Sequence, residues 1–118
     1  MTQSPREQFQ LVRIYVGEQD KVDDHPLHEA LVELALAQRM AGVTVLRGVV
    51  SYGASHHLHS ARILRLSEDL PMVLEVVDAP AQMEKFMPLA QALLARSGGG
   101  LITLQPVEAI RVLGKQQA

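Results

Sequence analysis

Hydrophobic and polar residues begin to alternate close to the start of the chain. In Gln8 to Val16 (QFQLVRIYV), Val12, Ile14 and Val16 share one face, and Leu11, Arg13 and Tyr15 share the other. The run is rich in β-branched and aromatic types, so it predicts a strand. Gly17 ends it, and Glu18 to Asp24 reads as a charged loop. Pro26 suits the first turn of a helix, where its missing N–H costs nothing. Leu27, Ala30, Leu31, Leu34, Ala35 and Ala41 then recur at helical spacing, with Glu29, Glu33 and Gln38 turned elsewhere. Gly42 is the expected stop. A second strand, VTVLRGVV, follows from Val43 to Val50.

Ser51 to Ser60 (SYGASHHLHS) changes character to small and polar residues with three histidines. It reads as a loop at the tip of a long hairpin, and its low apolar content predicts the most mobile internal segment. Ala61 to Leu66 begins a return strand, Ser67 to Pro71 makes a jog, and Met72 to Val77 (MVLEVV) is strongly β. Asp78 is placed to cap a second helix carrying Met83, Phe86, Met87, Ala90, Leu93 and Leu94, which ends before Gly98, Gly99 and Gly100. Leu101 to Leu104 and Val107 to Val112 read as two further extended pieces. The order is βαββαβ, and two helices on one face of an antiparallel sheet close it most simply. The expected class is therefore α+β, a ferredoxin-like sandwich over residues 8–113, with a flexible arm at 1–7 and a tail at 114–118.

Composition narrows the function. The 118 residues are 47% hydrophobic but only 3% aromatic, so aliphatic side chains and methionine must fill the core. A domain this small leaves much apolar surface uncovered, and Val, Ile and Leu on both sheet faces point to one face covered by other subunits. A net charge of −2 and the lack of a basic stripe argue against nucleic acid. No apolar run approaches a membrane span, and the polar start carries no signal sequence, so the expectation is a cytoplasmic protein. The absence of cysteine excludes disulfides and thiolate chemistry. No Ser-His-Asp constellation or paired-carboxylate motif is legible, and the reading is of a protein that is not an enzyme and carries no cofactor.

Several short runs, in order, resemble a known family. Gly42-Val43-Thr44-Val45, Tyr52-Gly53, Asp69-Leu70-Pro71 and Pro106-Val107-Glu108 before Ala109-Ile110-Arg111 resemble PII nitrogen-regulatory proteins. More closely, AGVTVLRGVVSYG (Ala41 to Gly53) with Gly17-Glu18 and LRLSEDLPMVLEVVD (Leu64 to Asp78) resemble the uncharacterised PII-like family. The resemblance implies a homotrimer that binds a small anionic ligand, such as an adenine nucleotide, in clefts between subunits and reports its identity to a target protein. It places a flexible loop at Tyr52 to Ser60, a glycine loop at Gly98 to Gly100 and a ligand-facing arginine at Arg111. Leu101 stands where PII proteins carry a lysine after the glycines, and Leu113 replaces a second C-terminal arginine.

The candidate ligand-binding residues are thus Gly17, Glu18, Arg47, Tyr52, Gly53, Gly98, Gly99, Gly100 and Arg111. The glycine run permits unusual backbone conformations and leaves N–H groups open to an anion; a plain helix-to-strand turn is the other reading. Arg47 and Arg111, with Arg62 and Arg65, offer guanidinium groups for bidentate capture of phosphate, or ion pairs with Glu75, Glu108 or Asp69. Glu18 suits a ribose hydroxyl or an amine, or is a solvated turn residue. His56, His57 and His59 keep open a metal-responsive trimer, and His57 or His59 as a base keeps open a small cofactor-free enzyme on the same fold.

Overall fold

The computed structural model describes residues 4–48, 50–52, 58–60 and 70–115. Strand β1 (Arg6–Gly17) is followed by β2 (Lys21–Val22) and β3 (His25–Pro26), helix α1 (Leu27–Ala37), and strands β4 (Gly42–Arg47), β5 (Val50–Tyr52), β6 (Leu58–Ser60) and β7 (Pro71–Asp78). Helix α2 (Pro80–Ser97) and strand β8 (Leu101–Ile110) complete the chain. Four strands form one antiparallel sheet in the order β4-β7-β1-β8. This is the α+β ferredoxin-like arrangement anticipated from the pattern.

Period-two alternation on β1 places Val12, Ile14 and Val16 on the inner face beside Leu74 and Val76 of β7. Both helices pack on that face, α1 through Leu27, Leu31 and Ala35 and α2 through Met83, Phe86, Ala90 and Leu94, in one core cluster. Each fully buried aliphatic or aromatic side chain there contributes about 1.5–3 kcal/mol. The outer face is not bare of apolar residues either. Leu46, Val73, Tyr15 and Leu101 form a row across all four strands, and Leu11 and Val77 lie in a second row. Between the rows runs a polar strip in which Arg13 donates through Nε to Glu75 at 3.0 Å and through Nη1 to Gln105 at 3.2 Å. Leu46, Tyr15 and Leu101 are exposed in the single chain.

Several expectations are corrected. Arg6 and Glu7 belong to β1, paired with Ile110 and Ala109, rather than to a free arm. The charged loop after Gly17 is a two-residue hairpin: Asp23 (φ 51°) and Asp24 (φ 66°) are both left-handed, which is the geometry a tight β2–β3 turn needs. It is pinned by the Arg96–Asp23 ion pair and by Val22, which is buried in the core. Pro26 precedes α1 instead of opening it, and the Asp20 carbonyl accepts the Leu27 N–H at 2.8 Å. Strand β8 runs unbroken through Pro106, which an edge strand tolerates. Residues 51–52 and 58–60, read as loop, pair together with Val50 in a short hairpin, Val50 opposite Ser60 and Tyr52 opposite Leu58. The expected return strand and jog at 61–69 lie outside the described residues.

Helix α1 ends before the glycine assigned to stop it. Met40 N–H reaches the Ala35 carbonyl and Arg39 N–H reaches that of Leu36, both at 3.0 Å, a complete C-terminal capping motif with Arg39 as the left-handed residue at φ 57°. Gly42 is already in β4. Asp78, only 8% exposed, lies two residues before the start of α2, and its carboxylate accepts N–H groups from Ala79 at 2.6 Å and Ala41 at 2.8 Å. It therefore ties the end of β7 to the α1–β4 connection, and the N-cap position itself belongs to Ala79.

Two stability outcomes follow from these contacts. Arg39→Gly relieves a side chain held in the left-handed region and should stabilise the fold by about 0.5–1 kcal/mol in urea unfolding. Asp78→Ala strips the acceptor from two N–H groups and should destabilise it by about 1–3 kcal/mol, with Asp78→Asn falling between. An unchanged urea midpoint for Asp78→Ala would mean that water serves these donors equally well.

Candidate functional site

One end of the sheet gathers most of the residues singled out in the sequence. Arg47 is the last residue of β4, Gly17 the last of β1, and Gly100 directly precedes β8. Glu18 extends the pairing of β1 with β7, its N–H reaching the Leu70 carbonyl at 2.7 Å. Val16 and Arg47 both pair with Met72, so Glu18 and Arg47 point to the same side of the sheet. Arg47 Nη2 donates to Glu18 Oε2 at 2.6 Å. Gly48 allows the close approach that fixes this corner, because a Cβ there would stand 2.8 Å from the Pro71 ring.

Of the two readings open for the glycine run, the structure shows the helix-to-strand turn. The N–H of Gly98, left-handed at φ 106°, and the N–H of Gly99 both go to the Leu94 carbonyl at the end of α2, the latter at 2.7 Å. These two donors are committed to capping the helix and are not open to an anion. Gly100 is needed for packing, since a Cβ would meet Leu94 Cδ2 at 2.8 Å and the Tyr15 carbonyl at 3.1 Å. Nothing lies within 4 Å of the Cβ position of Gly98 or Gly99. The turn thus has open space over Gly98 and Gly99 rather than a ring of free N–H donors.

Arg111 stands at the opposite end. Ile110, its neighbour, pairs with Arg6, while Leu101 pairs with Tyr15, so the length of β8 separates Arg111 from the glycine turn. At roughly 3.3 Å per residue that is about 30 Å. Arg111 donates to Glu7 in bidentate fashion, Nε to Oε2 at 2.9 Å and Nη2 to Oε1 at 2.7 Å, and its guanidinium lies 5.5 Å from the centre of the Phe9 ring. The guanidinium holds the Glu7 carboxyl below the usual carboxylate range, and Glu7 in turn raises Arg111 above the usual arginine value. Glu7 was not among the residues singled out, because only the β1–β8 register places it beside Arg111.

Tyr52 is on β5 opposite Leu58. Gly53, His56, His57, Arg62 and Arg65 lie outside the described residues, and His59 is on β6. Among the described residues no three His, Asp or Glu side chains gather as a metal site. No helix among them is long and apolar enough to cross a membrane.

Comparison with known proteins agrees with this architecture. The DUF190 family, described as an uncharacterized ACR, matches residues 9–109. A UPF0166 protein of Aquifex aeolicus (strain VF5) is 29% identical over 100 residues, covering 85% of this chain and 91% of its own. Among solved structures, CPII from Thiomonas intermedia K12, a nitrogen regulatory PII-like protein bound to ADP, AMP and bicarbonate, superposes with a TM-score of 0.71 at 11% identity. That likeness covers 91% of this chain and 92% of CPII. The B. subtilis GlnK–ATP complex gives a TM-score of 0.54 at 12% identity over 85% of this chain and 82% of its own. At such identities the likeness is one of fold, and the fold is PII-like. The family match over residues 9–109, which takes in most of the sheet and both helices, shows that this chain belongs to the DUF190 family.

Proposed function

We propose that the protein is a homotrimeric PII-like regulator that binds an adenine nucleotide between subunits and is not an enzyme. In this reading Arg47 and the Gly98–Gly100 turn of one subunit face Arg111 of the next, and a target protein responds to the occupied state. The observation that carries the proposal is the separation of about 30 Å between Arg111 and the other candidates within one chain, at ~3.3 Å per strand residue. Residues so far apart can form one site only if a second copy brings its far end to the first copy's near end. The exposed row Leu46, Tyr15 and Leu101 supplies an apolar surface for such a contact. Nucleotides found in CPII and GlnK, proteins of the same fold, support the ligand class.

The assembly is tested by light scattering, which should give three times the 13.0 kDa chain mass at micromolar concentration. Leu46→Asp with Leu101→Asp places charge on the apolar row and should shift the mass toward the monomer. A monomeric mass for the unaltered protein removes the shared cleft and with it the proposed site.

The ligand is tested by calorimetry with ATP, ADP, AMP and cyclic nucleotides. Removing one charge-assisted contact by Arg111→Ala should weaken binding about tenfold while leaving the trimer intact, since such contacts contribute roughly 1.5–3 kcal/mol. If the unaltered protein binds none of these, the nucleotide assignment fails. Equal binding by the variant removes only the role of Arg111.

A further inference from the structure

Both arginines assigned to the ligand are already occupied within their own chain. Arg111 presents Nε and Nη2 to Glu7, the same two-donor edge that a phosphate would take. Arg47 presents Nη2 to Glu18. In each pair the carboxylate is the more covered partner: side-chain exposure is 30% for Glu7 against 63% for Arg111, and 22% for Glu18 against 58% for Arg47.

The backbone reinforces this asymmetry. Glu7 lies within β1, paired with Ala109, and Glu18, just past the end of β1, donates its N–H to the carbonyl of Leu70, the residue before β7. Arg111 follows the last residue of β8, and Arg47 is the last residue of β4. Both carboxylates are thus held by backbone pairing, and each arginine, at or just past a strand end, is the more exposed side chain of its pair. Arg13 and Glu75 differ on both counts, since they pair in mid-strand and are covered alike, at 34% and 30%. That pair is an element of the sheet, whereas the other two have the form of exchangeable contacts.

We infer that Glu7 and Glu18 are internal competitors that hold Arg111 and Arg47 in the unliganded protein, and that an anionic ligand binds by taking their place. This rests on the nucleotide-site reading above. An incoming phosphate gains each guanidinium only by releasing a carboxylate that stays behind on its strand. Weak anions fail to make that exchange, and anions with several phosphate oxygens succeed. The two glutamates thus set the threshold of affinity for a site they do not themselves occupy.

Calorimetry with ATP and ADP on the full-length protein and on Glu7→Gln, Glu18→Gln and Glu33→Gln tests the inference. Glu33 is exposed on α1, so its variant changes net charge equally without touching either arginine. Each of the first two variants should bind about two- to fivefold more tightly, in line with the strength of exposed ion pairs, and Glu33→Gln should match the unaltered protein. If the unaltered protein binds but Glu7→Gln and Glu18→Gln do not bind more tightly, the competitor role is overturned while the nucleotide site stands. If no protein in the series binds ATP or ADP, the site reading and the inference fall together. Should a variant fold poorly, the side-chain Nε–H resonances of Arg47 and Arg111 in the unaltered protein give a second measure. Both should shift on adding ATP, and shifts in neither would overturn the exchange.

Discussion

Strand β1 is the constraint on which the rest of the molecule depends. It pairs with β7 from Gln10 to Gly17 on one side and with β8 from Arg6 to Tyr15 on the other. Because side chains alternate, its pleat divides its apolar residues between two faces. Val12, Ile14 and Val16 define where the helices must sit, and Leu11 and Tyr15 leave an apolar surface on the reverse. A one-residue slip would exchange the two sets and bury Arg13 under the helices. The cross-strand contact of Arg13 with Glu75 and Gln105 opposes such a slip, since it forms only in the observed register.

The length of the same strand shapes the candidate site. β1 runs from Arg6 to Gly17, and the residues that can meet an anion sit at its two ends: Arg111 beside Glu7, and Arg47 beside Glu18. In the reading proposed above, a single subunit therefore holds two half-sites at opposite ends of the sheet. Assembly through the apolar reverse face would unite halves from different chains, which links oligomer formation to ligand binding through the geometry of one strand.

The glycine turn illustrates how one short run serves packing and a site together. Gly98 and Gly99 terminate α2 by satisfying the Leu94 carbonyl, and Gly100 lets the chain pass close to Tyr15 at the start of β8. The consequence is a turn with nothing packed over the Cβ positions of Gly98 and Gly99, at the same end of the sheet as Glu18 and Arg47. In the reading proposed above, the turn would serve a ligand by its shape rather than by donated hydrogen bonds, because the helix has already taken the donors of Gly98 and Gly99.

What the sequence determined by itself was the alternation of β1 and β7, the helical faces of α1 and α2, and hence the two-layer class. These follow from local periodicity, which reports which residues share a face without knowing what that face meets. The same local signal misplaced the end of α1, because Arg39 adopts the left-handed conformation usually met by glycine, and glycine was available only at Gly42. It also missed the β2–β3 hairpin, since Asp23 and Asp24 stand where turn glycines are expected. Tertiary structure alone decided the pairing of Glu7 with Arg111, the latch at Asp78, and the placing of Arg111 far from Glu18 and Arg47. Each of these depends on strand register between segments distant in the chain, and register is set by the packing of whole faces, which no single segment encodes.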